Sequence, residues 1–150
     1  PSTTTFNIAP ISPIVPAGSV SVFNMNGFNV SCNGANDGSI TANASGGTGT
    51  FTYSIDGINF QSNALFSGLI AGNYTITYKD ANGCISTESY TLNEPPALSG
   101  TANITQVVDC FGSSTGVITF VVDPLNPGVP PYQYSTDNGS NYQSSNIFQT

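Results

Sequence analysis

Residues 72–79, Gly-Asn-Tyr-Thr-Ile-Thr-Tyr-Lys, alternate between one large apolar or aromatic side chain and one polar side chain. Successive side chains of an extended chain point to opposite faces. Tyr74, Ile76 and Tyr78 therefore share one face, and Thr75, Thr77 and Lys79 share the other. The same period of two runs through Ile40, Ala42 and Ala44, set against Ser39, Thr41 and Asn43. It returns in Phe51, Tyr53 and Ile55, set against Thr52 and Ser54. These segments are rich in β-branched and aromatic residues, which fit a pleated, half-buried surface. Turn-forming clusters separate them at 33–38, 45–49, 56–57 and 80–83. No window carries apolar residues at i, i+3, i+4 and i+7 for long enough to make a helix. The pattern predicts an all-β protein whose short strands have the spacing of a sandwich.

Composition then limits the chemistry. Charged residues make up 6% of the 150-residue chain, against about a quarter in an average globular protein. The surface must be built from Ser, Thr, Asn, Gln and Gly, which suits a protein working outside the cell. Histidine is absent and Lys79 is the only basic side chain. Serine and cysteine nucleophiles that depend on a histidine base are excluded, as are His-ligated zinc and iron sites. A net charge of −7 disfavours nucleic acid and anionic membrane surfaces, both of which need Lys and Arg. No run of about 20 apolar residues is present to span a bilayer. No cofactor and no catalysis are expected: Asp37, Asp56, Asp80, Asp109 and Asp137 all fall in turns or loops, where Asp is common for its own backbone bonds. Lys79 is expected on the solvent side of an exposed strand. Asn-X-Ser/Thr triplets begin at Asn29, Asn43, Asn73, Asn103 and Asn138. They read as chance in an Asn- and Thr-rich bacterial chain and as glycan sites in a eukaryotic secreted one.

The sequence also repeats itself. CNGANDGSIT (32–41) returns as CFGSSTGVIT (110–119), and FTYSIDGINFQSNALF (51–66) returns as YQYSTDNGSNYQSSNIF (132–148). The intervening loop changes from the glycines of 46–49 to the proline-rich 126–131. More loosely, 4–14 resembles 89–98. Self-similarity at this period predicts an array of supersecondary units. The expected division is 1–14 as the last strand of a preceding repeat plus linker, 15–96 as a complete repeat, and 97–150 as the N-terminal two-thirds of the next. The central repeat holds Cys32 and Cys84, and the next holds Cys110. Cysteines at fixed places in an exported chain predict a Cys32–Cys84 disulfide. That bond requires the 33–38 loop, or the strand before it, to fold back toward the hairpin end that carries Cys84; otherwise both cysteines are free or buried thiols.

LIAGNYTIT (69–77) has the layout of a tyrosine corner. Leu69 ends one strand, Gly72 permits a sharp turn, and Tyr74 begins the next strand with its hydroxyl free to bond back to the corner. Asp80-Ala81-Asn82-Gly83 suits a tight hairpin, with Asp80 and Asn82 bonding their own backbone and Gly83 taking positive φ. A calcium loop would need further carboxylates at alternate positions and a distal glutamate; none follows, and Glu88 is too close.

CNGANDGSITANASGGTGTFTYSIDG, LFSGLIAGNYTITYKDANGC and YTLNEPPAL together resemble the SprB-type repeat, a module found in tandem in very large surface adhesins of gliding Bacteroidetes. The resemblance covers nearly all of the central repeat and the available part of the next. It departs at 10–27, which is longer than the equivalent 95–109. It implies tandem immunoglobulin-like antiparallel β-sandwiches, export by the type IX secretion system, and a place at the cell surface in adhesion and gliding motility. Expected partners are the neighbouring repeats of the same chain, with surface polysaccharide or other copies of the filament beyond them. Tyr132, Tyr134 and Tyr142 are the rings that could stack on a sugar. Two further readings stand beside the adhesive one: a fibre subunit pairing by strand addition, and a carbohydrate-binding accessory module of a secreted enzyme. The lack of tryptophan weighs against the last.

Overall fold

The computed structural model describes residues 12–23 and 27–149. Most of the strand expected in 1–14 lies outside the described residues. Among those described, every regular element is a β-strand, and every pairing is antiparallel. The chain divides into two units, Pro1–Glu94 and Pro95–Thr150.

In the first unit, β1 (Val15–Pro16), β2 (Ser19–Val20), β3 (Gly38–Thr41) and β4 (Ala44–Ser45) are short. They are followed by β5 (Thr52–Ser54), β6 (Leu65–Leu69), β7 (Gly72–Lys79) and β8 (Ile85–Leu92). One three-stranded sheet has the order β2-β3-β6 and a second the order β5-β7-β8, with β1 paired to β4. Buried side chains from both larger sheets meet in one cluster, formed by Ile40, Ala42, Ile76, Tyr78 and Leu92. The unit is thus an antiparallel β-sandwich. The period of two positions this core: Ile76 and Tyr78 are fully buried and Tyr74 is half-buried, while Asn73 and Thr75 face solvent. Tyr53 pairs across the ladder with Tyr78, and their rings meet edge to face at 5.7 Å, a preferred aromatic geometry.

One strand departs from its expected alternation. Ser54, assigned by pattern to the polar face of 51–55, is completely buried. Its hydroxyl donates to the Asp56 carboxylate at 2.7 Å, so the buried polar group is satisfied and the small side chain fits the interior.

The second unit is one three-stranded sheet in the order β11-β10-β9, from β9 (Leu98–Gln106), β10 (Val117–Pro127) and β11 (Ile147–Gln149). Bonds of the first unit recur here at the residues matched by the sequence repeat. Ala35 N–H bonds Cys32 O and Ser113 N–H bonds Cys110 O, both at 3.1 Å. Ala42 N–H bonds Ala64 O and Phe120 N–H bonds Asn146 O, both at 2.8 Å. Tyr53 bridges to Gln61 as Tyr134 bridges to Gln143.

Candidate functional site

The hairpin joining β7 to β8 is held from inside by one carboxylate. Asp80 is 5% exposed. Its Oδ1 accepts the amides of Asn82 at 2.9 Å and Cys84 at 2.8 Å, and its Oδ2 accepts the amide of Thr48 at 2.9 Å. The main chain closes the same turn, with Gly83 N–H donating to Asp80 O at 3.0 Å and Ala81 N–H to Thr48 O at 3.0 Å. Gly83 sits at φ +83°, where a side chain is disfavoured. Three amide donors thus converge on Asp80, so its lone pairs are committed to the backbone of the turn and of the 46–49 loop. Asn82 contributes its amide at the hairpin tip.

At the other end of β7, the Tyr74 hydroxyl donates to Ile70 O at 3.0 Å. Leu69 closes β6 half-buried against the core, and Gly72 opens β7 opposite Leu92. Leu69, Gly72 and Tyr74 therefore meet at one corner, and Asp80, Asn82 and Gly83 meet at the opposite tip.

Cys32 and Cys84 are not brought together. Both are exposed free thiols, as is Cys110, and the expected disulfide is not formed. The reason is topological. Asn29 N–H bonds Asn93 O at 2.9 Å and Gly34 N–H bonds a Glu94 carboxylate oxygen at 2.7 Å, which fixes the Cys32 loop beyond the C-terminal end of β8. Cys84 lies before the start of β8. The eight residues of β8 span about 26 Å at ~3.3 Å per residue, whereas a disulfide needs Cα atoms within about 7 Å.

A second polar centre escaped the sequence reading. The Tyr90 hydroxyl accepts the Gly18 amide at 3.0 Å, shares a 2.8 Å bond with the Tyr78 hydroxyl, and donates to Glu88. A Cβ on Gly18 would lie 2.3 Å from the Tyr90 oxygen and 2.9 Å from Thr41 O; only glycine fits this approach. Burial first, then the bonds around it, pushes the Tyr90 pKa well above its ordinary value, and burial raises Tyr78 as well. The signal was present: Ser86, Glu88, Tyr90 and Leu92 alternate inward along β8. What could not be read was that β1 and β2 return across this strand.

All but one of the remaining acids follow the pattern of Asp80. Asp56 accepts Ser54 Oγ, the amides of Ile58 and Asn59, and Asn59 Nδ2 at 2.6–2.9 Å. Asp137 accepts Ser135 Oγ, the Asn141 amide and Asn141 Nδ2 at 2.5–2.9 Å. These bonds favour the ionised form. The Asn59 side chain above all holds the Asp56 carboxyl far below its usual range, and the Ser135 hydroxyl leads in bringing Asp137 down to about 2. Bonds from Ser31 lower Asp37, and the Leu125 amide first, then Asn126 and Ser99, lowers Asp123. Counting Glu88 on Tyr90 and Glu94 on Gly34, seven of the eight carboxylates accept bonds from the protein itself. Lys79 is half-buried rather than solvated, with Nζ 3.7 Å from the centroid of the Phe60 ring, a cation–π distance. Among the described residues no three of His, Cys, Asp and Glu come together.

Tyr132 and Tyr134 lie half-buried along a groove of about 220 Å³ in the second unit, whereas Tyr142 is exposed. The groove also involves Leu98, Phe120 and Val122.

Comparison with known families falls on the segment that carries the Cys32 turn, β3 and β5. Residues 28–60 match the family model of the SprB repeat. The SprB repeat is a structural repeat and occurs in surface-exposed proteins. Neither the curated proteins nor the solved structures yielded a match to the chain. The SprB match takes in the buried residues Val30, Ile40, Ala42 and Ser54. It also takes in the Asp56 cage, whose bonds recur around Asp137 in the second unit.

Proposed function

We propose that this chain is a non-catalytic structural and adhesive segment of a long extracellular surface filament, built from tandem immunoglobulin-like repeats and serving surface attachment and gliding motility. The observation that carries this reading is the SprB-repeat match at 28–60, joined to the recurrence of its bonds in the second unit. Repetition of one sandwich makes a row of stiff beads, and Glu94-Pro95-Pro96 at the boundary of the units restricts backbone rotation there. Weak contacts repeated along such a row add through effective concentration. Neighbouring repeats are the first partners, and surface polysaccharide is the proposed external one. Seven of the eight acids support a structural role because they are committed to amides and hydroxyls of the fold.

The test is made in the producing organism. Antibody against residues 15–94 should label intact, unpermeabilised cells, and deletion of the coding segment for the repeats should reduce attachment and spreading on a solid surface. Labelling only after cell lysis would refute surface display. Full attachment and spreading in the deletion strain would refute the adhesive and motility role.

A further inference from the structure

Asparagine followed by glycine is prone to spontaneous deamidation, because glycine has no Cβ to hinder ring closure by its amide nitrogen. Three such pairs lie among the described residues: Asn33-Gly34, Asn82-Gly83 and Asn138-Gly139. All three asparagines are exposed. The attacking atom is the glycine nitrogen, and it is unavailable while its N–H is held by an acceptor.

The fold holds the three amides differently. Gly83 N–H donates to Asp80 O at 3.0 Å, inside a hairpin where the buried Asp80 carboxylate gathers three further amides. Gly34 N–H donates to Glu94 Oε2 at 2.7 Å, a short bond to a charged acceptor. Gly139 N–H donates to the Ser135 hydroxyl at 3.0 Å, a neutral acceptor that also takes the Asp137 amide at 3.3 Å. Residues 136–142 around it are exposed throughout, so this turn opens at the least cost. Its exposure does not depend on what covers the sheet: the matching turn 56–59 is exposed although β7 and β8 seal its own unit. That turn has no asparagine here, since Gly57 follows Asp56 directly where the second unit inserts Asn138. An ionised Asp56 carboxylate held by four donors is a poor electrophile.

We propose that Asn138-Gly139 is a chemical-ageing site of the folded chain, deamidating first of the three pairs at a rate governed by the Ser135 hydroxyl. When that bond opens, hydroxide removes the Gly139 amide proton and the nitrogen attacks Asn138 Cγ. The new N–Cγ bond closes a succinimide ring, and the Cγ–Nδ2 bond breaks to release ammonia, which carries away a proton. Water then adds to a ring carbonyl and splits its bond to nitrogen, leaving aspartate or isoaspartate. The net change consumes water and releases ammonia, with no oxidant or reductant. Either product places a new negative charge beside Asp137. Isoaspartate also lengthens the main chain by one carbon, in a turn where Asn138 holds φ +60°. The Asn141 amide, now 2.9 Å from Asp137 Oδ1, is displaced. The turn therefore loosens with time in one unit and not in the other. This inference does not depend on the adhesive reading.

The test ages the full chain in mildly alkaline buffer and follows each pair in peptic fragments by mass spectrometry. In the folded chain Asn138 should convert several-fold faster than Asn33 and Asn82. In urea, where no acceptor holds the glycine amides, the three rates should converge. Ser135→Ala should speed Asn138 about fivefold, the effect of one neutral hydrogen bond, and leave Asn33 and Asn82 unchanged. Ser135→Thr, which keeps the hydroxyl, should stay at the original rate, and Glu94→Ala should speed Asn33 alone. Hydrogen exchange at the Phe120 amide in the same samples separates release of the turn from unfolding of the second unit. Conversion of Asn33 or Asn82 as fast as Asn138 in the unaltered folded chain would overturn the proposal. So would an unchanged Asn138 rate in Ser135→Ala with Phe120 still protected.

Discussion

The Tyr90 hydroxyl accepts the Gly18 amide at 3.0 Å across 72 residues of sequence. The bond pins the β1–β2 connection to β8, and through Tyr78 and Glu88 the same oxygen stays satisfied inside the sandwich. Tyr90→Phe deletes that oxygen and strands the Gly18 amide and the Tyr78 hydroxyl. A loss of about 1–3 kcal/mol is expected, the usual cost of an unsatisfied buried group, measured by urea unfolding of the full chain. Gly18→Ala should also destabilise, because the added methyl collides with the Tyr90 oxygen and with backbone at Thr41.

The same centre sets the alkaline limit. Tyr78 and Tyr90 both have folded pKa values above their ordinary one. A phenol raised in the folded state contributes stability that is fully present below the unfolded pKa near 10 and is lost as pH rises beyond it. Urea midpoints should be level from neutral pH to about 10 and then fall. In Tyr90→Phe the alkaline decline should be shallower.

Asp80 makes a separate prediction. Asp80→Ala leaves the amides of Thr48, Asn82 and Cys84 without their acceptor and should cost about 2–4 kcal/mol, from bonds to a charged group at ~1.5–3 kcal/mol each with partial rescue by water. Hydrogen exchange at those three amides should rise more than at Ile76, which separates local release from global unfolding. Gly83→Ala should cost about 1–2 kcal/mol through its positive φ alone.

Acid should weaken the turns before the core. Asp56 and Asp137 have folded pKa values below their unfolded ones, Asp137 at about 2. A depressed carboxylate contributes stability present above the unfolded value near 3.9 and lost as pH falls through the folded value. Carboxyl resonances followed by NMR should place Asp137 near 2, and stability should decline from about pH 4 downward. Asp137→Asn should flatten that decline; an Asp137 midpoint near 3.9 would contradict the cage.

The thiols give the simplest count. Cys32, Cys84 and Cys110 are free and exposed, so non-reduced folded protein should take up three equivalents of a thiol reagent. Cys32→Ser and Cys84→Ser should each shift stability by less than about 0.5 kcal/mol, as surface changes do.

What the sequence could and could not reveal divides along range. Strand faces such as Tyr74, Ile76 and Tyr78 obey a local rule, so their burial could be read from spacing alone. The turn at Asp80–Gly83 is equally local. Two failures concern contacts across the fold. The disulfide expectation treated Cys32 and Cys84 as a pair because both lie in one repeat, but pairing depends on which end of β8 each loop reaches. Gly18 carried no mark of its role, since the tyrosine that requires it lies far along the chain. Ser54 shows a subtler limit: polarity predicted the outside, whereas one hydroxyl–carboxylate bond made the inside available. Lys79 misled in the opposite direction, because nothing local announces Phe60 as its neighbour.

The commitment of seven of the acids to amides and hydroxyls has a consequence for the response to salt. The only basic side chain rests on an aromatic ring, and the carboxylate bonds are short-range contacts that dissolved ions screen little. What brine can act on is the mutual repulsion behind a net charge of −7, and damping that repulsion favours the folded chain. The folded chain is therefore expected to keep or gain stability as ionic strength rises, without any change to its interior.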